Sequence, residues 1–165
     1  MCIRDRISEA FRRKQDTLHF IKKAEKDTLA VYKYSEGTLV DLNEADTTEL
    51  KKIPGIGSGI ARMIVAYRKR LGGFYDTVQL KEVNYVDEDM LKWFKLGNTP
   101  IHRINANKAG LDKLRSHPYM NFYQAKVIIE YRRKKGKLKS LSQLSLYEEF
   151  TEKDLERLSH YLAFD

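Results

Sequence analysis

The sequence has almost no cysteine, little proline and no long apolar segment. Its single cysteine, Cys2, lies in MCIRDR, residues 1–6, which matches the translated end of a sequencing adapter and is predicted to be an artificial scar. Disulfides and thiolate metal sites are therefore not predicted for the rest of the chain. No apolar run reaches the roughly 18 residues of a membrane-spanning helix. The scar nevertheless indicates that the natural N-terminus, with any signal peptide or anchor, is missing.

Clustered metal ligands and catalytic motifs are also lacking. The four histidines are scattered without i, i+4 spacing or neighbouring acids, at His19, His102, His117 and His160. The acidic stretch 87–89 suits the start of a helix, where carboxylates interact favourably with the dipole. No serine, lysine or cysteine stands beside a base at catalytic spacing. The sequence thus predicts no metal, no cofactor, no small-molecule substrate and no enzymatic activity.

What is present is a charged, basic composition. Of 165 residues, 42% are apolar and 33% charged, which is ordinary for a soluble globular protein, and the formal net charge is +8. A positive net charge favours acidic partners such as nucleic acid or an anionic membrane. Basic proteins without such a partner are also common, so the charge alone leaves both alternatives open.

The chain contains an internal repeat. A shift of 64 residues, without a gap, places Pro54 on Pro118. The same shift also pairs Asn43 with Asn107, Tyr67 with Tyr131, Arg68 with Arg132, and Gly72 with Gly136. These matches predict two copies of one fold unit, at residues 40–99 and 103–165. The charged segment 7–39 has no counterpart, and we interpret it as a partly helical linker.

Each unit is predicted to contain about four short helices and no strands. In the first unit, 46–49 has the form of a capping box, and the next helix, about 58–70, carries one apolar stripe and stops at Gly72. The stretches 76–79 and 140–143 are capping boxes of a third helix in each unit. The fourth helices are expected at 88–95 and from 152 to about 162. Tyr67 and Tyr131 are expected in the core, and Trp93 at the boundary between units.

Residues 53–59, IPGIGSG, are the most informative stretch. A P-loop needs lysine and a hydroxyl after its second glycine, and a dinucleotide-binding loop must follow a strand, so neither motif fits. A hairpin between two helices does fit. Glycines there leave the N–H groups at the start of the second helix bare, and the helix dipole favours an anion at that position.

The stretch LNEADTTELKKIPGIGSGIARMIVAYRKRLGGF, residues 42–74, resembles the helix-hairpin-helix family, most closely its ComEA-like branch. The resemblance covers 40–99 directly and 103–165 through the repeat. It implies an all-α fold of two tandem helix-hairpin-helix units and non-sequence-specific binding of double-stranded DNA, in bacterial DNA uptake or in repair. Members of this branch are typically membrane-attached outside the cytoplasm. We expect that location if a lost N-terminus carried an anchor, and a cytoplasmic one otherwise.

The resemblance also implies which residues contact DNA. The hairpin glycines would present backbone amides, Ile56 would fill the core beneath the turn, and Arg62 would assist at a phosphate. The basic run of the second unit is added as a candidate from its charge. The candidate DNA-binding residues are Pro54, Gly55, Ile56, Gly57, Ser58, Gly59, Arg62, Arg132, Arg133, Lys134, Lys135 and Lys137.

Several features do not follow the family pattern. The turns at 83–86, 117–121 and 147–150 lack G-x-G, and are predicted only to connect and pack helices. The unit with the glycine hairpin is neutral, with 9 basic and 9 acidic side chains in residues 40–99. The basic run either extends the DNA surface or is a solvated helix end.

Aromatic residues near the second unit's first turn leave a further alternative open. Tyr119, Phe122 and Tyr123 either pack against the core or form a patch for a protein partner. Two functions therefore compete: a DNA-binding module, and a structural or protein-interaction module that kept the fold and lost most of its DNA contact.

Overall fold

The same order of short elements occurs twice in residues 32–165, the part of the chain that the computed structural model describes. The first repeat comprises β1 (Val40–Asp41), α1 (Thr47–Leu50), α2 (Ser58–Leu71), a 3-10 helix (Thr77–Glu82), α3 (Glu88–Leu91) and β2 (Phe94–Lys95). The second comprises β3 (Ile104–Asn105), α4 (Leu111–Arg115), α5 (Phe122–Lys135), a 3-10 helix (Leu141–Gln143), α6 (Glu152–Ser159) and β4 (Leu162–Ala163). The predicted all-α fold class is confirmed.

The prediction of no strands is wrong for four two-residue segments. Strand β1 pairs in parallel with β2, and β3 pairs in parallel with β4. These strands join the beginning of each repeat to its end, so that the N–H of Val40 donates to the carbonyl of Trp93 at 2.8 Å. Segments of two residues are too short to show the alternating pattern by which strands are predicted.

The helices differ from the predicted ones mainly at their ends. Helix α2 ends as expected at Gly72, which has φ +89°. The third helices are 3-10 rather than α, although both predicted capping boxes are present there. Asp46 caps α1 through the N–H groups of Thr48 and Glu49, without the return contact of a full box. The fourth helices stop early because the residues after them form β2 and β4.

The repeat is preserved by polar contacts as well as by apolar packing. Asn43 bonds both backbone groups of Phe74, and Asn107 bonds those of Leu138 in the same way. Arg68 donates to the carbonyls of Leu42 and Ala45 at 2.8 Å, and Arg132 donates to the corresponding carbonyls of Ala106 and Ala109. A carbonyl that accepts one of these hydrogen bonds avoids the penalty of being desolvated without a partner. This explains why the asparagine and the arginine recur after 64 residues.

The 64-residue register ends within the last helix. Helix α6 spans eight residues and α3 spans four, so the second repeat has one additional turn there. Tyr161 therefore takes the place that Trp93 has in the first repeat, directly before the closing strand. Trp93 is buried in the core of its own repeat, and Tyr161 instead lies at the joint between the repeats.

The joint between the repeats is buried and fully hydrogen-bonded. Residues 33–165 form one compact unit, and Tyr161 packs into the core cluster of the first repeat. Its hydroxyl donates to the carbonyl of Gly73 at 2.9 Å and accepts from Gln79 Nε2 at 2.8 Å. Gln79 Nε2 also donates to the Tyr119 hydroxyl at 2.8 Å. No helix within residues 32–165 is long and apolar enough to cross a membrane.

His117 lies in this joint as a neutral imidazole. A carbonyl can only accept, so Nε2 donates to Leu71 O at 3.0 Å, and Nδ1 accepts from the Tyr119 N–H at 3.2 Å. The pKa of His117 is lowered from 6.5 to about 4, mainly by desolvation; the bond to Leu71 opposes this shift, and the cations of Arg70 and Lys113 contribute to it. Both ring nitrogens are satisfied only in the neutral form.

We expect the protein to lose stability as the pH falls from 6.5 towards 4. In that window the unfolded state binds a proton at His117 and the folded state does not, so the free energy of unfolding decreases as the pH falls. The full shift in the pKa of His117 corresponds to a loss of about 3 kcal/mol in the free energy of unfolding. Urea unfolding at a series of pH values measures the slope. In His117→Gln, whose amide can still donate to Leu71, this part of the slope should be absent, and an unchanged slope would contradict the assignment.

Candidate functional site

Four turns in the described residues share one hydrogen-bond pattern. We call residues 53–57, 83–87, 117–121 and 147–151 hairpins 1 to 4. In each, the N–H of the fourth residue donates to the carbonyl of the first, at 3.1, 3.3, 3.1 and 3.1 Å respectively. The fifth residue is the extended N-cap of the helix that follows. The turn's hydrogen bond therefore forms with or without glycine, whereas the third residue is left-handed only in hairpin 1, at Gly55, and in hairpin 2, at Tyr85.

Hairpin 1 needs its first glycine for conformational reasons. Gly55 has φ +86°, in the left-handed region that L side chains rarely adopt, and a Cβ there would lie 3.1 Å from Met90 Cε. The next residue, Ile56, is completely buried beneath the turn, as predicted. Pro54, the second residue of the turn, and Ser58, directly after it, are exposed. Together these residues fix the position of the backbone that follows.

Gly57 and Gly59 have no comparable structural reason to be glycine. Gly57 has φ −95° and ψ 179°, an extended conformation open to any residue. A Cβ at either position would meet no atom of the described chain within 4 Å. What the missing side chains provide is an exposed backbone, which a ligand can approach closely.

The backbone amides at the start of α2 are available for a ligand. Among residues 32–165, no acceptor is found for the N–H groups of residues 57 to 60, and the first bond of the helix joins Ala61 N–H to Gly57 O at 3.0 Å. Unpaired N–H groups and the helix dipole act in the same direction and favour an anion at this end of a helix. Hairpin 1 is therefore chemically suited to a phosphate group.

In each of hairpins 3 and 4, side chains accept from two of the four amides at the start of the following helix. Asn121 Oδ1 accepts from the Gln124 N–H at 2.9 Å in hairpin 3. In hairpin 4, Thr151 Oγ1 accepts from the Asp154 N–H at 3.2 Å, and Asp154 Oδ2 accepts from the Thr151 N–H at 3.0 Å. Capping of this kind leaves fewer donors for an anion than hairpin 1 offers.

Hairpin 2 retains the turn of hairpin 1 and presents the opposite charge. Tyr85 occupies the position of Gly55 with φ +67° and is 78% exposed. Asp87 is the N-cap, and the acidic residues Glu88 and Asp89 fill the first turn of α3. Carboxylates at this position repel a phosphate, so the acidic turn opposes anion binding.

Cations lie around hairpin 1, and one of them was not anticipated. Arg62, on the first half of α2, is exposed and forms no ion pair with the described residues. Lys33 Nζ donates to Lys51 O at 2.6 Å and to Ile53 O at 3.2 Å, and lies 3.4 Å from Ile56 O. No sequence signal identifies Lys33, because it lies in the segment that we interpreted as a linker. Residues 7–31 of that segment, and the six residues before it, lie outside the described residues, and 32–39 contain no helix.

The basic run of the second repeat does not form one surface. Arg132 donates to the carbonyls of Ala106 and Ala109, and is therefore a structural residue. Lys134 lies 3.8 Å from Glu130, and Lys135 lies over the rings of Tyr131 and Tyr147. Arg133 and Lys137 remain exposed beside a shallow depression that contains no residue of hairpin 1. The structure thus gives two of the five run residues a free outward position.

The three aromatic candidates separate in the structure. Tyr119 packs in the joint, where its hydroxyl donates to Glu82 at 2.7 Å and the Arg157 guanidinium lies 4.7 Å from its ring centre. Phe122 and Tyr123 are 44% and 68% exposed and stack edge to face. Packing therefore holds for Tyr119, and only Phe122 and Tyr123 are on the surface. Within residues 32–165, no three metal-ligating side chains cluster.

Comparison with known proteins supports the architecture. The sequence model of the family described as helix-hairpin-helix motif matches residues 35–94 and 99–163. A mouse protein named endonuclease/exonuclease/phosphatase family domain-containing protein 1 is 27% identical over 154 residues, covering 73% of this chain and 27% of the mouse protein. The Xenopus laevis protein of that name is 25% identical over 146 residues, covering 73% and 26%.

These matches bear on only part of each relative. The chain spans about a quarter of the length of the curated relatives it matches. No solved structure matches the chain. The relatives named here are vertebrate proteins, and the ComEA-like branch and a bacterial origin stay predictions.

Proposed function

The chain belongs to the helix-hairpin-helix motif family, and from this we propose that it binds the phosphate backbone of double-stranded DNA through hairpin 1. Helix-hairpin-helix motifs are in general nucleic-acid-binding modules. The observation that carries the proposal is the pair Gly57 and Gly59. Neither a close contact within the described chain nor a left-handed backbone requires glycine at these two positions. A bare, donor-rich backbone is what a phosphate oxygen requires.

The proposed contact does not read base sequence. Backbone amides and Arg62 can hold a phosphate, which is the same in every nucleotide. Base recognition requires side chains that enter a groove, and hairpin 1 offers only glycine, Ser58 and the edge of Pro54. We therefore expect similar affinity for duplexes of unrelated sequence.

The proposed role is that of a holding module without its own catalysis. In the vertebrate relatives, the matched region is about a quarter of the protein, whose printed name refers to an endonuclease/exonuclease/phosphatase family domain. The site described above contains backbone donors and cations and no nucleophile beside a base. The proposed chemistry is therefore binding and not bond cleavage.

Salt dependence tests this proposal. If hairpin 1 and the cations near it neutralise ~4 phosphates, the logarithm of the association constant should fall against the logarithm of salt with a slope of about −3.6. Fluorescence anisotropy with two random duplexes, at several salt concentrations, measures both the slope and the sequence preference. Absence of binding at low salt would contradict the proposal.

The competing function is that of a protein-interaction module. It is favoured by the exposed pair Phe122 and Tyr123, and by the three hairpins whose amides are capped or lie beside acids. It expects duplex affinity near background at every salt concentration, so the same titration separates the two functions.

A further inference from the structure

A second group of cations lies at the opposite end of α2 from hairpin 1. A cleft of about 570 Å³ is lined by residues from the end of α2, from the connection between the repeats and from the beginning of the second repeat. We call it the basic cleft, and its charged lining residues are Lys69, Arg70, Arg103, Lys108 and Lys113. All five are exposed, and no acidic residue lines the cleft.

The five cations have no ion-pair partner in the part of the chain that the structure describes. The negative end of the α2 dipole stabilises cations in the last turn of the helix, which explains the presence of Lys69 and Arg70 there. It does not account for Arg103 and Lys108, which belong to no helix. Like charges that face one cleft repel one another, and a bound anion would relieve that repulsion.

The wall of the cleft is fixed by the joint between the repeats. The His102 N–H donates to Gly72 O at 2.8 Å, and a Cβ on Gly72 would lie only 2.4 Å from His102 O. The buried His117 lies behind the cleft, where both Arg70 and Lys113 help to lower its pKa. Arg70 and Lys113 come from different repeats and line the same cleft.

From this arrangement we propose that the basic cleft is a second binding site for the phosphate backbone of duplex DNA, separate from hairpin 1. Helix α2 has 14 residues and is therefore about 21 Å long. The free amides of hairpin 1 point out of one end, and the cleft lies at the other end. The choice of duplex DNA as the ligand rests on the proposed function, whereas the position of the second site rests on the basic cleft.

A charge reversal in the cleft tests the inference against a matched control. Arg70→Glu with Lys113→Glu removes two cations of the cleft, and Lys92→Glu with Lys153→Glu makes the same change in net charge at exposed sites elsewhere. We expect the cleft variant to reduce the steepness of the salt slope by about 1.8 and to bind duplex about tenfold more weakly than the control variant. Equal affinities and equal slopes in the two variants would overturn the inference.

Both variants are also compared in a Gly57→Asp background, which separates the two proposals. Residual duplex binding at low salt should persist in the control variant and be lost in the cleft variant. NMR of the His117 ring provides a local readout, because phosphates bound near Arg70 and Lys113 would raise the pKa of His117. Duplex binding without any change at His117 would overturn the cleft site. An unaltered affinity in Gly57→Asp alone would instead count against hairpin 1.

Discussion

Gly57→Asp is expected to weaken duplex binding about 10- to 100-fold while leaving the fold intact. The backbone of Gly57 is extended and its surroundings are open, so an aspartate fits without strain. Its carboxylate would cap the free amides of α2 and repel a phosphate at the same place. Hydrogen bonds to a charged group contribute about 1.5–3 kcal/mol, which gives the expected range. Anisotropy titration at low and physiological salt measures the loss.

The chain provides a matched control for this substitution at Asn121. Asn121 is the N-cap of α5, 64 residues after Gly57, and it already caps its helix. Asn121→Asp introduces the same charge at an equivalent position, where no phosphate is proposed to bind. We expect its duplex affinity to change much less, and both variants should unfold within a few tenths of a kcal/mol of the parent. Equal losses of affinity would show that net charge, and not the hairpin, controls binding.

Tyr161→Ala is expected to lower the free energy of unfolding by about 3–5 kcal/mol. The Tyr161 side chain belongs to the second repeat, yet it is fully buried in the core of the first. Its removal leaves a cavity at the joint, and the carbonyl of Gly73 loses its hydrogen-bond donor, the Tyr161 hydroxyl. Equilibrium unfolding in urea, followed by far-UV circular dichroism, measures the change.

The same experiment tests whether the repeats unfold together. Because Tyr161 fills a cavity shared by both repeats, we expect one transition for the parent protein and two for Tyr161→Ala. Tyr123→Ala removes a tyrosine that is 68% exposed and should change stability by less than about 0.5 kcal/mol. A single unshifted transition in Tyr161→Ala would show that the joint does not hold the repeats together.

The sequence predicted the repeated helices well because their signals are local. A cap, an apolar stripe and a terminating glycine lie within one turn of the helix they define, and α2 follows the predicted bounds closely. The short strands could not be predicted, since β1 pairs with residues more than 50 positions later and has only two residues. The greater length of the fourth helix in the second repeat was predicted, at 152 to about 162 against 88–95. Its consequence, the place of Tyr161, depends on a contact with the other repeat.

In the candidate site, too, the residues that could be predicted are those with local signals. Gly55, Ile56 and Gly57 were identifiable because the turn and the helix start are adjacent in sequence. Lys33 was not, because its contacts with the hairpin 1 carbonyls span 20 to 23 residues. Arg132 was placed on the DNA surface from its charge, whereas its contacts with Ala106 and Ala109 hold the fold.

The sequence by itself determined the fold class, the duplication and the position of the one glycine hairpin, because those properties depend on local backbone preferences and on helical periodicity. Only the tertiary structure decided which hairpins leave their amides free and which side chains close the joint. It also brought Lys69 and Arg70 together with Arg103 and Lys113 in one cleft. Charges from separate segments interact strongly only when folding brings them close together, and the spacing of residues along the sequence does not give their distance in space.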